Sequence, residues 1–239
     1  MAVYGAPNVG FVLLGGRSLI GYLTDIQDSS EIVVEETTPL GQAYDSWASV
    51  GVVKSTCKLL GIYNSTDFVT AVEVATTQPL MYCLEGNTIG NEFTGIDGVK
   101  GTLLRNAVRD QLHRIEVDFK AETALDKGLI VADHAARNSS SSATTTVDNS
   151  ASSSAGAVGY LGMSALARGG YTNAIVKIRH STNGSSWSDL ITFTAVTAAP
   201  ASERVAVVGT INRYIQTTIT WTGSGSSESA TYAVGLARL

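Results

Sequence analysis

Few side chains in this sequence have the type and spacing that catalysis needs. His113, His134 and His180 are scattered, and no His-Glu-x-x-His arrangement sets two imidazoles on one helix face for a metal. Asp133-His134 beside a serine-rich stretch supplies two members of a triad by composition, but no Gly-x-Ser-x-Gly elbow presents a nucleophile. Glu35 and Glu36 are adjacent, and neighbours on a strand point to opposite faces, so their carboxylates do not converge as an acid–base pair. Gly15-Gly16 and Gly169-Gly170 lack the spacing of a phosphate-cradling loop and read as turns. Cys57 and Cys83 sit in apolar surroundings, as small core residues in reduced form. The expectation is a protein that is not an enzyme and takes no metal and no cofactor.

Contact chemistry remains. Trp187 follows a Ser-Thr-Asn-Gly-Ser-Ser cluster, and Arg213-Tyr214 opens an alternating strand. An indole, a guanidinium and a phenol can stack on a sugar ring, though strand aromatics are more often core residues. Leu40, Tyr44 and Trp47 lie in a long polar connection, Thr37 to Ser49 (TTPLGQAYDSWAS). Long connections inside compact domains are usually functional or disordered, and a large aromatic there is a candidate anchor in a partner's pocket. Finally, Ile115, Val117, Phe119 and Ala121 alternate with Glu116, Asp118, Lys120 and Glu122. That pattern gives one apolar face and one charged face, and the charged face must meet water or a solvent-filled channel.

The elements that position these groups read as strands. Val9 to Leu14 is a short apolar strand, Ile20 to Gln27 and Glu31 to Thr38 flank an Asp-Ser-Ser turn, and Val50 to Tyr63 is the next strong strand. A short helix is expected over Phe68 to Ala75, capped by Ser65-Thr66-Asp67. Leu80 to Glu85 is a strand, Gly86 to Gly101 a glycine-rich turn region, and Leu103 to Glu122 one long segment. Asn138 to Ser154 is nearly all Ser, Thr and Ala, too poor in apolar groups for a core of its own: an exposed loop, a linker or a weak edge strand. Beyond it come strands at Val158 to Met163, Ala174 to Arg179, Asp189 to Val196, Arg204 to Val208, Arg213 to Trp221 and Thr231 to Leu236. Short strands at that spacing indicate a sandwich, and Asn183-Gly184 predicts a tight hairpin turn. The fold class is mainly β, in two units: residues 1–127, a β-sandwich or barrel with one short helix, and residues 128–239, an antiparallel sandwich that includes the Ser/Thr-rich segment at 138–154.

Composition narrows the partners. The chain has 239 residues and a formal charge of −5, and only 15% of its residues are charged, against roughly 25% in typical soluble domains. Sparse charge with Ser/Thr-rich surfaces suits faces covered by other copies or by partners. No block of Lys or Arg stands out, which argues against a nucleic-acid reader but allows a wall that DNA slides past. No run approaches the ~18 apolar residues of a membrane span, and no secretory signal pattern is visible. The expectation is a soluble protein made in a cytoplasm, with no membrane partner.

Residues 9 to 122 resemble the tail tube proteins of long-tailed bacteriophages, through FVLLGGRSLIGYLTDI, VVEETTPLGQAYDSW and VGVVKSTCKLLGIYNSTDFVTAV. In the second half, HSTNGSSWSDL and NRYIQ are similar both to the C-terminal part of such tail proteins and to galactose-binding-like jelly rolls. The first resemblance implies a structural virion protein of the phage tail. Its copies would form rings, commonly hexameric, that stack into a tube for DNA ejection, alongside other tail proteins. DNA would pass through the lumen without specific binding. It also implies that the loop bearing Leu40, Tyr44 and Trp47 reaches an adjacent ring, and that Glu116, Asp118, Lys120 and Glu122 face the lumen. The alternative is a capsid decoration or host-adhesion protein that binds glycans through Trp187, Arg213 and Tyr214.

Overall fold

Strands form almost wherever the sequence alternates. The computed structural model describes residues 9–37, 47–62, 67–74, 76–107, 109–138 and 143–239. In chain order the first half contains β1 (Phe11–Leu14), β2 (Arg17–Ser18), β3 (Leu23–Glu36), β4 (Trp47–Ile62), α1 (Asp67–Val72), β5 (Gln78–Cys83), β6 (Glu92–Asn106) and β7 (Arg114–Ala121). Then follow β8 (Asp126–Arg137), β9 (Val147–Asp148), β10 (Ala157–Ala167), β11 (Asn173–Ser181), β12 (Ser188–Thr192), β13 (Ala201–Val207), β14 (Tyr214–Thr222) and β15 (Ser229–Arg238). The chain is mainly β with one short helix, as its patterning predicts.

Three expectations for the first half differ from the structure, each for a physical reason. Asp28-Ser29-Ser30 is not a turn; β3 runs straight through it. Asp and Ser favour turns because their side chains satisfy nearby backbone. Here they find cross-strand partners instead: Ser29 Oγ with Thr56 Oγ1 at 2.8 Å, Ser30 Oγ with Ser55 Oγ at 2.6 Å, and the Tyr82 hydroxyl donating to Asp28 Oδ2 at 2.6 Å. Much of the glycine-rich stretch is strand β6, not turn. A Cβ on Gly95 would stand 2.7 Å from the Tyr160 ring, so glycine serves close packing there. The segment from Leu103 to Glu122 is two antiparallel strands, the end of β6 and β7, paired from Asn106↔Arg114 inward.

An eleven-stranded antiparallel sheet follows the order β13-β10-β15-β8-β6-β5-β1-β2, with β7 on β6, β4 on β7 and β3 on β4. The smaller sheet has the order β12-β11-β14-β9. The expected division at 127 and 128 falls within β8, which bonds β6 through Asp126–Leu129 and β15 through Leu129–Arg137.

Three apolar clusters fill the layers. In one, Val12, Leu14, Leu80 and Tyr82 of β1 and β5 face Cys57 and Leu59 of β4, Val117 and Phe119 of β7, and Val72 of α1. In the second, Leu161 of β10 and Val234 of β15 face Val176 and Ile178 of β11 and Ile219 of β14. The third lies between them: Phe11, Leu13 and Met81 pack on Val158, Tyr160 and Ala233. Strand β10 is therefore buried on both sides, and its glycines mark the two contacts. A Cβ on Gly159 would meet Ile191 at 2.7 Å, and one on Gly162 would meet Leu13 at 2.8 Å.

Candidate assembly surface

The largest departure from a closed fold is the far end of the β3–β4 hairpin. Strand β4 bonds β7 only through Thr56–Ile62. Beyond that point Trp47–Ser55 has β3 as its partner strand, making a two-stranded arm on the order of 25 Å long. Register fixes which side chains share a face: Ile32 pairs with Val53, Val34 with Ser49 and Glu36 with Trp47, with an irregularity at Gly51 (φ 75°). Paired residues project to the same side, and so do residues two apart. Ile32, Val34, Val53 and Trp47 thus line one face, at 58%, 47%, 50% and 60% exposure. Closer to the body, the same face carries Cys57 and Leu59 into the core. The core face of the hairpin continues outward past the core that the described residues form.

Of the three residues expected to anchor a partner, Trp47 is in this row, at the start of β4. Leu40 and Tyr44 lie outside the described residues. The apolar residues Ile32, Val34 and Val53 are not distinguishable in sequence from core positions, since alternation marks a face without saying what covers it.

The outward face of β3, β4 and β7 holds the expected lumen-facing groups. Arg114, Glu116, Asp118 and Lys120 project there, opposite the buried Ile115, Val117 and Phe119. Lys58 Nζ lies 2.5 Å from Glu116 Oε1 and 3.9 Å from Asp118 Oδ1, and the Glu116 hydrogen bond holds the Lys58 ammonium above its ordinary pKa. Register brings Asp25, Glu31, Glu35 and Lys54 onto the same side. Across the face five acidic groups, Asp25, Glu31, Glu35, Glu116 and Asp118, stand against four basic ones, Lys54, Lys58, Arg114 and Lys120, so the charges nearly balance with one acid in excess. Glu122 lies past the end of β7, where its carboxylate accepts from Thr77 Oγ1 at 2.7 Å.

In the second half, the chain turns over Ser181–Trp187 by side-chain capping and not by a two-residue turn. Ser181 Oγ accepts from Gly184 N at 3.0 Å, and Asn183 Oδ1 accepts from Ser185 N and Ser186 N at 2.9 Å. Gly184 (φ 72°) lies over the Tyr214 ring, where a Cβ would be 3.7 Å away. The Arg213 guanidinium sits 4.9 Å from that ring's centroid and grips Asp148 with two bonds, at 2.7 and 2.6 Å. Arg213 holds the Asp148 carboxyl down at about 2. Trp187 is half-buried, and its carbonyl accepts from Arg179. The fold brings Arg213 and Tyr214 together, but the ring is packed by its own neighbours.

Asp133 and His134, the two triad-type residues, are also engaged elsewhere. Asp133 pairs with Arg137. His134 Nε2 is 2.8 Å from Ser164 Oγ, while the His134 backbone and the Asn87 side chain bond each other. Among the described residues no three His, Cys, Asp or Glu groups converge for a metal ion. Cys57 and Cys83 are buried free thiols, and burial, reinforced by Asp28, pushes Cys57 up to about 12. One polar network is invisible in the sequence. Asp126, buried between the layers, accepts from Tyr160 Oη at 2.6 Å and from Arg204 at 3.0 and 2.9 Å.

No protein-family model matches the chain, and no curated protein sequence matches it. Among solved structures it is similar to a chain in the virion of a native gene transfer agent particle, at 10% identity and TM-score 0.38, over 52% of this chain and 97% of that one. The same values relate it to a chain in the tail of an empty gene transfer agent particle refined with C6 symmetry. It is also similar to the Dit protein of SPP1, a hub of the adsorption apparatus in phages infecting Gram-positive hosts. That match has 10% identity and TM-score 0.39, over 95% of this chain and 98% of that one.

Proposed function

We propose that this chain is a structural virion protein whose copies assemble into stacked rings, forming the tube of a phage-type tail through which DNA leaves. The observation that carries the reading is the arm. An isolated two-stranded ribbon is marginal in water, and this one exposes Ile32, Val34, Val53 and Trp47 along a single face. Contiguous exposed apolar surface of that kind marks a protein contact, and tryptophan is a frequent hot-spot residue. A second copy is the partner that every subunit of a repeating assembly has available. The sequence resemblance of residues 9 to 122 to tail tube proteins assigns the same role to this connection.

The glycan-binding alternative has less to stand on. Arg213 is held by Asp148, and Tyr214 is packed between Gly184 and Arg213.

Electron microscopy and sedimentation of the wild type beside an Ile32→Asp, Trp47→Asp double variant test the reading. The wild type is expected to form stacked rings or tubes. The variant should stay as free rings or monomers with an unchanged melting temperature, because both residues are exposed and lie off the core. A variant that polymerises like the wild type would exclude the arm as the contact. A wild type that stays monomeric at all concentrations would exclude the assembly.

A further inference from the structure

The sandwich formed by β8, β15 and the smaller sheet is open at one end. A cleft of about 170 Å³ lies there, lined by Leu129, Val147 and Leu236 together with Lys127, Asn149 and Arg238. Alternation puts Lys127 and Leu129 on the face of β8 that carries Val131 into the core, and Arg238 on the face of β15 that carries Val234 and Leu236. Both cations thus end inward-facing rows, at the point where the rows run out of the core.

Among the described residues, the lining of the cleft holds no counterpart to their charge. Arg238 donates from Nη1 to the Ala151 carbonyl at 2.6 Å and from Nη2 to the Asn212 carbonyl at 2.7 Å, both neutral, and its buried Nε has no acceptor. Arg137, Arg179, Arg204 and Arg213 of the same half each meet an aspartate. Asp148, beside the cleft, is committed to Arg213. A partly buried guanidinium without a carboxylate is an unfavourable arrangement that a bound anion relieves.

We propose that this cleft binds a carboxylate borne on a short apolar body. The carboxylate meets the Lys127 ammonium and the Asn149 amide in the field of Arg238, and the aliphatic part lies on Leu129, Val147 and Leu236. The volume equals roughly five or six waters, which suits a chain of a few carbons. A phosphate would set its oxygens against those three apolar walls. Such a carboxylate is carried by a free short-chain acid and equally by a glutamate side chain of a second copy.

Ligand-observed saturation-transfer measurements with pentanoate, pentanol and acetate test the site on the full chain. Pentanoate is expected to bind saturably and more tightly than either control. Lys127→Met should weaken it about tenfold, the loss of one charge-assisted contact, and Lys127→Arg should restore it. Lys127 is exposed, so the substitution leaves the fold in place. Pentanol binding as tightly as pentanoate, or no saturation by pentanoate up to about 50 mM, overturns the proposal. Self-association separates the two sources. If Lys127→Met also raises the concentration needed for assembly, the carboxylate is a glutamate of a second copy; if assembly is unchanged while pentanoate is lost, it is a free acid.

Discussion

Two partly buried histidines shape how this protein responds to acid. Burial is the main cause that lowers the pKa of His134, with the Arg137 charge adding to it; for His180 the causes are burial and then Arg238. Geometry agrees for His180, whose Nδ1 accepts from Asn212 N at 3.2 Å and loses that role when it takes a proton. A histidine lowered in the folded state stays neutral at pH values where the unfolded chain has already bound a proton. The unfolded state then binds more protons, so stability rises with pH in that window. Stability present above the ordinary value of 6.5 is lost as pH falls below it. Melting temperature followed from pH 8 to 5.5 should decline below about 6.5. His134→Gln, which keeps a donor for Ser164 but cannot titrate, should flatten the decline. A profile that is level, or that rises on acidification, would show that neither imidazole is coupled to folding. Asp97 acts in the opposite sense. Burial raises its pKa, so protonation favours the folded state and its contribution falls as pH rises.

At the scale of elements, the Ser/Thr-rich tract shows how far composition carries. Its lack of apolar residues correctly denies it a core, yet it is not merely a tether. Thr144 N donates to the Thr217 carbonyl at 3.0 Å, and Thr144 Oγ1 accepts from Thr217 N at 2.9 Å and lies 3.2 Å from Thr217 Oγ1. With β9 on Tyr214 and Ile215, this segment closes the edge of β14. Thr217 is fully buried, so Thr144→Val would strand its donors and should cost about 1–3 kcal/mol in urea unfolding. A change under roughly 0.5 kcal/mol would mean that water replaces the hydroxyl and the edge is ornamental. The sequence could place strands, because alternation is local, and it placed each of β10 to β15 but not β8. It could not distinguish the Asp28-Ser29-Ser30 run of β3 from a turn, because the partners Thr56, Ser55 and Tyr82 are remote in the chain. Gly95 was opaque for the same reason, its requirement being set by the Tyr160 ring. Of the candidate site, Trp47 was legible as a large aromatic near a long connection. Ile32, Val34 and Val53 were not, since only the register of two strands reveals an apolar face that runs on past the core.

At the scale of the whole molecule, the charge on the outward face of β3, β4 and β7 decides how a tube built from these subunits would treat DNA. If that face lines the lumen, Asp25, Glu31, Glu35, Glu116 and Asp118 against Lys54, Lys58, Arg114 and Lys120 give it no net attraction for phosphates. Affinity for duplex DNA grows with the number of phosphates neutralised and falls steeply with salt. Glu116→Lys with Asp118→Lys tips the balance to six cations against three acids, counting the nine groups just named. Both carboxylates are partly exposed, and both pair only with Lys58, so the exchange should leave the core and the arm intact. Assembled wild-type particles should not retain duplex DNA. Assembled variant particles should retain it at low salt and release it as salt rises, because each of many subunits adds cations along one path. Retention must be compared between particles of equal length, so that a failure to assemble is not mistaken for a failure to bind. If intact variant tubes take up no more DNA than the wild type even at low ionic strength, this face lies outside the conduit, and the lumen must be lined by a different surface of the sheet.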